Sequence, residues 1–167
     1  MKRAALAIVL AVAATACGSS STAPTTSGNP TFTAQLLPSN ETPPITNAES
    51  TASGTVTITF VTTKDASGAV TSAVGTAVVN MQGFPAGATI TMSHIHTGAV
   101  GVKGDVLVPF PPGTVSLTNG AGSFTSTQNI DGAVATNIMN NPANFYFNVH
   151  TALNGGGVIR GQLVRTQ

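Results

Sequence analysis

Charge is scarce in this chain. Charged side chains make up 7% of its 167 residues, against about a quarter in an average soluble protein. Tryptophan is absent, tyrosine occurs once and cysteine once. A single cysteine excludes an internal disulfide, so any fold rests on its apolar core. No run of Lys and Arg is present to neutralise phosphates, which argues against nucleic-acid binding. No Gly-x-Ser-x-Gly element marks a nucleophile, and no His stands in a recognisable order with an acid and a nucleophile. The glycine-rich stretch Gly98-Ala99-Val100-Gly101-Val102-Lys103-Gly104 opens no helix, so it reads as a turn and not as a phosphate loop.

Hydrophobic residues reach 41%, too many for disorder. Val, Ile and Phe recur at period two, and Thr, Ser, Gly and Asn take the polar places that Lys and Glu usually fill. That pairing suits a β domain with many turns.

The first sixteen residues read as a cleaved export signal: Lys2 and Arg3, an apolar stretch from Ala4 to Ala14, then small residues. The apolar stretch falls short of the roughly 20 residues that span a bilayer. Ala14-Thr15-Ala16-Cys17 resembles a bacterial lipobox, with Ala14 where Leu is usual. The resemblance implies acylation of Cys17 and attachment to the cell membrane, or to an outer membrane, since no Asp follows the cysteine. Residues 17–30 are a polar Ser/Thr/Gly/Pro tether. Cleavage would leave four basic residues against five acids, a formal charge of −1.

Residues 31–167 read as one domain, and about 135 residues suffice to bury a core. Strand-like runs alternate with turns every ten residues or so. Thr31–Leu36 ends at Pro38. Val56, Ile58 and Phe60 alternate with Thr55, Thr57 and Thr59. Lys64–Gly68 is a hairpin turn, and Val70–Met81 a strand or two short ones. Thr89–His96 and Val106–Phe110 follow. Val115–Leu117 and Ser123–Thr127 suggest a hairpin through Asn119-Gly120. Ile130, Val134 and Ile138 predict one helix over 131–140, capped by Asn129 or Asp131 and stopped by Pro142. Phe145–Val149 and Val158–Val164 close the domain. The fold class is all-β, an antiparallel sandwich with one short helix.

Two segments echo each other. Ile95-His96-Thr97 and Val149-His150-Thr151 each lead from a strand into a glycine loop and on to another strand. Four pieces in order carry a wider resemblance: Asn40-Glu41-Thr42-Pro43-Pro44, Ser93-His94-Ile95-His96-Thr97-Gly98, Asn144 to Thr151, and Gly157-Val158-Ile159-Arg160-Gly161-Gln162-Leu163. From Phe32 to Leu163 the chain resembles a CHRD domain, the module named for its repeats in chordin. Thr97 stands where the family usually has Gly. The resemblance implies an immunoglobulin-like or superoxide-dismutase-like Greek-key sandwich and says little about activity.

All three histidines fall in these motifs. His94 and His96, two apart on a strand, project from one face, with Ile90 and Met92. His150 shares its face with Tyr146 and Asn148. Three imidazoles converging at one end of a sandwich form a candidate copper or zinc site. Buried histidines bonded to loop carbonyls explain the pattern as well. A dismutase is set aside, because its metals need more ligands and its disulfide is absent. Arg160, on a face with Val158, Gln162 and Val164, needs a carboxylate or carbonyls. Glu41 is its candidate partner in an ion pair, with Asp105 and Asp131 as rivals. The expectation is a non-enzymatic, lipid-anchored binding or structural module at the cell envelope, with a protein or glycan partner. The alternative is a copper- or zinc-binding envelope protein using His94, His96 and His150.

Overall fold

Alternation builds the first half of the domain. In β2 (Ser53–Lys64) Val56, Ile58 and Phe60 are buried, while the threonines between them face outward. β1 (Thr31–Leu36) and β3 (Val70–Gln82) repeat the pattern on either side, paired antiparallel with β2. The inner face of β3 is small, with Ala73, Gly75 and Ala77. A Cβ on Gly75 would lie 2.6 Å from Ile130 Cδ1 and 3.2 Å from Phe60. Small residues here make room for large ones opposite, as dense packing requires. Phe32 and Phe60 meet with ring centres 5.1 Å apart.

The computed structural model describes residues 28–167; the export segment and Cys17 lie outside them. After β3 come β4 (Ile90–Thr97), β5 (Val106–Pro109), β6 (Gly122–Asp131), α1 (Gly132–Asn140), β7 (Phe145–Thr151), β8 (Ile159–Gln162) and β9 (Val164–Arg165). They form two antiparallel sheets, ordered β6-β3-β2-β1-β9 and β5-β4-β7-β8. The described residues therefore form a β-sandwich with one α-helix, as the sequence pattern predicts. One core of Val, Ile, Leu, Met and Phe lies between the sheets, and Phe110 meets Phe147 there.

Asp131 caps α1 by accepting from the backbone N–H groups of Ala133 and Val134. Of the two alternatives for Val70–Gln82 the single strand holds, because β2 and β6 pair with it along almost its whole length. Two local expectations need correction. Asn119 and Gly120 do turn the chain with positive φ (51° and 76°), and Thr118 and Ala121 bridge across the turn. Val115–Leu117 does not go on to form a strand: pairing across the turn stops at that one bridge, and β6 pairs with β3. Finally, a bulge between Ile90 and Met92 turns Ile90 into the core and leaves Met92 exposed, so the two do not share a face.

Candidate functional site

The second sheet differs from the first. β7 lies between β4 and β8, and all seven of its residues are buried. Phe145, Phe147 and Val149 belong to the core. Tyr146, Asn148 and His150 alternate with them on the outer face, where loops cover them. Gln162 donates to the Gly98 carbonyl and Arg160 to those of Ala99 and Val102, which ties the 98–104 loop across this face. Thr151 and Asn154 donate to the buried carboxylate of Glu49, which ties down the 47–49 segment.

Antiparallel pairing sets Asn148 opposite His94, Tyr146 opposite His96 and His150 opposite Met92. The three histidines therefore meet around the middle of this face and not at one end of the sandwich. Each offers a ring nitrogen within 4.8 Å of the others. His94 Nδ1 stands 3.1 Å from His150 Nε2, and Asn148 Oδ1 stands 2.9 Å from the same nitrogen.

Backbone carbonyls fix two of the rings. His96 Nδ1 lies 3.0 Å from the Gly104 carbonyl, and His150 Nδ1 lies 3.0 Å from that of Gly155. A carbonyl only accepts, so in each neutral ring Nδ1 carries the proton and Nε2 is a bare lone pair. The echo in the sequence is thus an echo in structure: each His-Thr strand end is bonded to the glycine loop that follows it. His96 Nε2 is buried and has no hydrogen-bond partner among the described residues. All three rings are held neutral. Burial pushes the His94 imidazole down to about 4, aided by charge repulsion from His150 and His96. Burial also lowers His96 and His150, against the raising effect of their carbonyl bonds. His94 is the least covered of the three and opens on a surface cleft of about 180 Å³ shared with Met92, Pro109 and Pro111.

Beside the histidines the cover continues as a stack. The His96 ring lies parallel to Tyr146 at 4.8 Å, and the Arg160 guanidinium sits 3.4 Å from the centre of the Tyr146 ring. Glu41 and Arg160 do come to the same region, and their charges interact. The direct ion pair expected between them does not form. Arg160 Nη2 goes to Ala99 and Val102, and Glu41 Oε1 is buried with no hydrogen-bond partner among the described residues. Burial pushes the Glu41 carboxyl up to about 7, against the lowering pull of Arg160, Asn148 and Lys103. Asp131, a rival partner, is engaged in capping α1. Of the neighbours assigned to Arg160, Gln162 stays beside it, Val158 joins the core, and Val164 is exposed on β9 in the other sheet.

Asn148, Tyr146 and the Glu49–Thr151–Asn154 cluster escaped the reading of the sequence as functional residues. Asn148 and Tyr146 carried a signal, because they alternate with His150 on the same face of one strand.

The CHRD domain family model matches residues 32–163. No curated protein and no solved structure matches the chain.

Proposed function

This chain belongs to the CHRD family, and we propose that it serves as a metal-binding module held at the cell envelope. The family points to a binding or structural module. The finer reading is that His94, His96 and His150 hold a copper or zinc ion. One observation carries it: His96 Nε2 is a buried lone pair, held in place through its Nδ1 bond to Gly104 and left without a donor among the described residues. A buried acceptor without a donor costs about 1–3 kcal/mol, and a cation bound between the rings would remove that cost. The Nδ1 bonds to carbonyls are the outer partners that metal-binding histidines usually have. Neutral rings suit metal binding, which needs deprotonated nitrogen. The anchor on Cys17 and the tether over 17–30 extend the proposal to an exported protein, with the module outside the cytoplasm.

The test is metal content by mass spectrometry on protein purified without a His-tag or chelator, set against a His94→Ala/His96→Ala/His150→Ala variant. Stoichiometric copper or zinc, lost in the variant, is the expected result. If neither metal binds even when offered, the histidines serve only to hold the two glycine loops. The anchor is tested separately: a clickable fatty acid fed to cells should label the wild type and not Cys17→Ser.

A further inference from the structure

We propose that Asn148 supplies a fourth donor, an amide oxygen, to the His94–His96–His150 site. The centre is then an N3O site for a borderline divalent ion, copper(II) or zinc(II), and it discriminates against copper(I). This deepens the metal reading above and rests on it.

The geometry contains a mismatch that a cation resolves. Asn148 Oδ1 stands 2.9 Å from His150 Nε2. That nitrogen is a lone pair, because Nδ1 of the same ring gives its proton to the Gly155 carbonyl. An amide oxygen also only accepts. His94 Nδ1, 3.1 Å away, is placed to donate to this nitrogen, so Asn148 Oδ1 faces an acceptor that already has its donor and gains none from it, a costly arrangement inside the protein. Turning the amide round is disfavoured by what lies on its other side. A Cβ on Gly157 would lie 2.6 Å from both Asn148 Nδ2 and Glu41 Oε1, so the amide nitrogen faces the Glu41 carboxyl. Reversal would withdraw the amide N–H from the Glu41 carboxyl, whose Oε1 has no other partner among the described residues. Gly157, at φ +120°, is the residue that permits this approach.

Position supports the same role. Asn148 is directly opposite His94, two residues from His150 on one strand, and diagonal to His96. It lies among the three rings and is 2% exposed. Ordinary solvation does not explain an amide so placed. Three imidazoles and an oxygen suit zinc(II) and copper(II), whereas copper(I) favours thioether and thiolate sulfur. The nearby sulfur, Met92, is 43% exposed and lines the outer cleft beside His94.

The experiment is a set of titrations with zinc(II), copper(II) and copper(I). The proteins are the wild-type chain, Asn148→Leu, Asn148→Asp and the triple-histidine variant. Asn148→Leu should weaken zinc(II) binding by about tenfold or more, leave copper(I) binding unchanged, and be rescued by Asn148→Asp. In the wild type, the Asn148 side-chain amide resonances should shift in step with bound zinc(II). That readout needs no variant to fold, and the Asn148→Leu affinity separates a donor from a bystander beside the rings. If the wild type binds zinc(II) while the amide resonances stay put and Asn148→Leu binds as tightly, the fourth donor is wrong and the three-histidine site stands. A preference for copper(I), with Met92 sulfur in the coordination shell, would also overturn it. A wild type that binds none of the three ions removes the metal reading itself, and this proposal with it.

Discussion

The two sheets of the sandwich carry the same alternation and use it in opposite ways. On the five-stranded sheet the polar alternates are Thr55, Thr57, Thr125 and Thr127, and they face solvent. On β7 of the four-stranded sheet they are Tyr146, Asn148 and His150, and they are as buried as the phenylalanines between them. Hydroxyls that meet water need no particular partner. Ring nitrogens, an amide and a guanidinium under a cover of loops each need one. The chemistry of the protein is therefore concentrated on the covered face, and the open face serves to close the core. A strand that alternates apolar and polar residues marks a surface only if nothing lies on top of it.

Substitutions on the two faces should separate them sharply. The largest loss is expected at Arg160. Arg160→Ala removes a buried cation from the Tyr146 ring and leaves the Ala99 and Val102 carbonyls without their donor. Urea unfolding should show a loss of about 3 kcal/mol or more, as for other broken buried polar networks. A change under about 1 kcal/mol would mean that water replaces the guanidinium freely and the face is less covered than it looks.

Thr151→Val should follow. It deletes a hydroxyl that donates to the Glu49 carboxylate at 2.6 Å, where Glu49 is almost wholly buried. A loss of about 1–3 kcal/mol is expected. Asn154→Ala, which strips a second donor from the same oxygen, should not add independently, because the two share a partner.

Acidity sharpens the comparison next. Burial raises the Glu41 carboxyl from its ordinary 4.5 to about 7, so the folded state holds a proton that the unfolded state has released. Its contribution is fully present below about 4.5 and is lost as pH rises through about 7. Glu41→Gln should therefore gain melting temperature over wild type at pH 8, and the gain should vanish near pH 4.5. The histidines act in the other direction. Their depressed values make a contribution that is full above about 6.5 and is lost as pH falls, for His94 down to about 4. Metal-free Glu41→Gln should keep that acid-side loss, whereas His94→Asn should reduce it. Melting curves from pH 4 to 8 in chelator test both.

The smallest effect belongs to the open sheet. Thr125→Ala removes an exposed side chain from β6 and should shift stability by no more than about 0.5 kcal/mol. A larger loss would show that this face, too, is engaged.

Much of the fold was legible because its causes are local. Thr-Val-Thr-Ile-Thr-Phe alternates strictly, so β2 could be read from its own residues. Asp131 ahead of an i, i+4 series marked the helix start. Features set by pairing were less legible. Nothing near Val115 says that β6 will choose β3, and nothing in Ile90-Thr91-Met92 announces a bulge. The site divided in the same way. His94, His96 and His150 were visible from their spacing, and the carbonyl partners of two of them came from the glycine loops that follow. Arg160 was seen to need carbonyls or a carboxylate, but two loop carbonyls 58 and 61 residues away cannot be singled out from the chain alone.

By itself, then, the order of residues determined which elements form, which face of each strand is apolar, and which side chains carry chemistry, since these depend on neighbours two to four positions away. Tertiary structure alone decided that the polar face of β7 is covered, that Asn148 lies among three imidazoles, and that Arg160 donates to loop carbonyls instead of to Glu41. Those outcomes depend on the register between strands and on loops laid across them, where a shift of one residue would turn every ring to the other face.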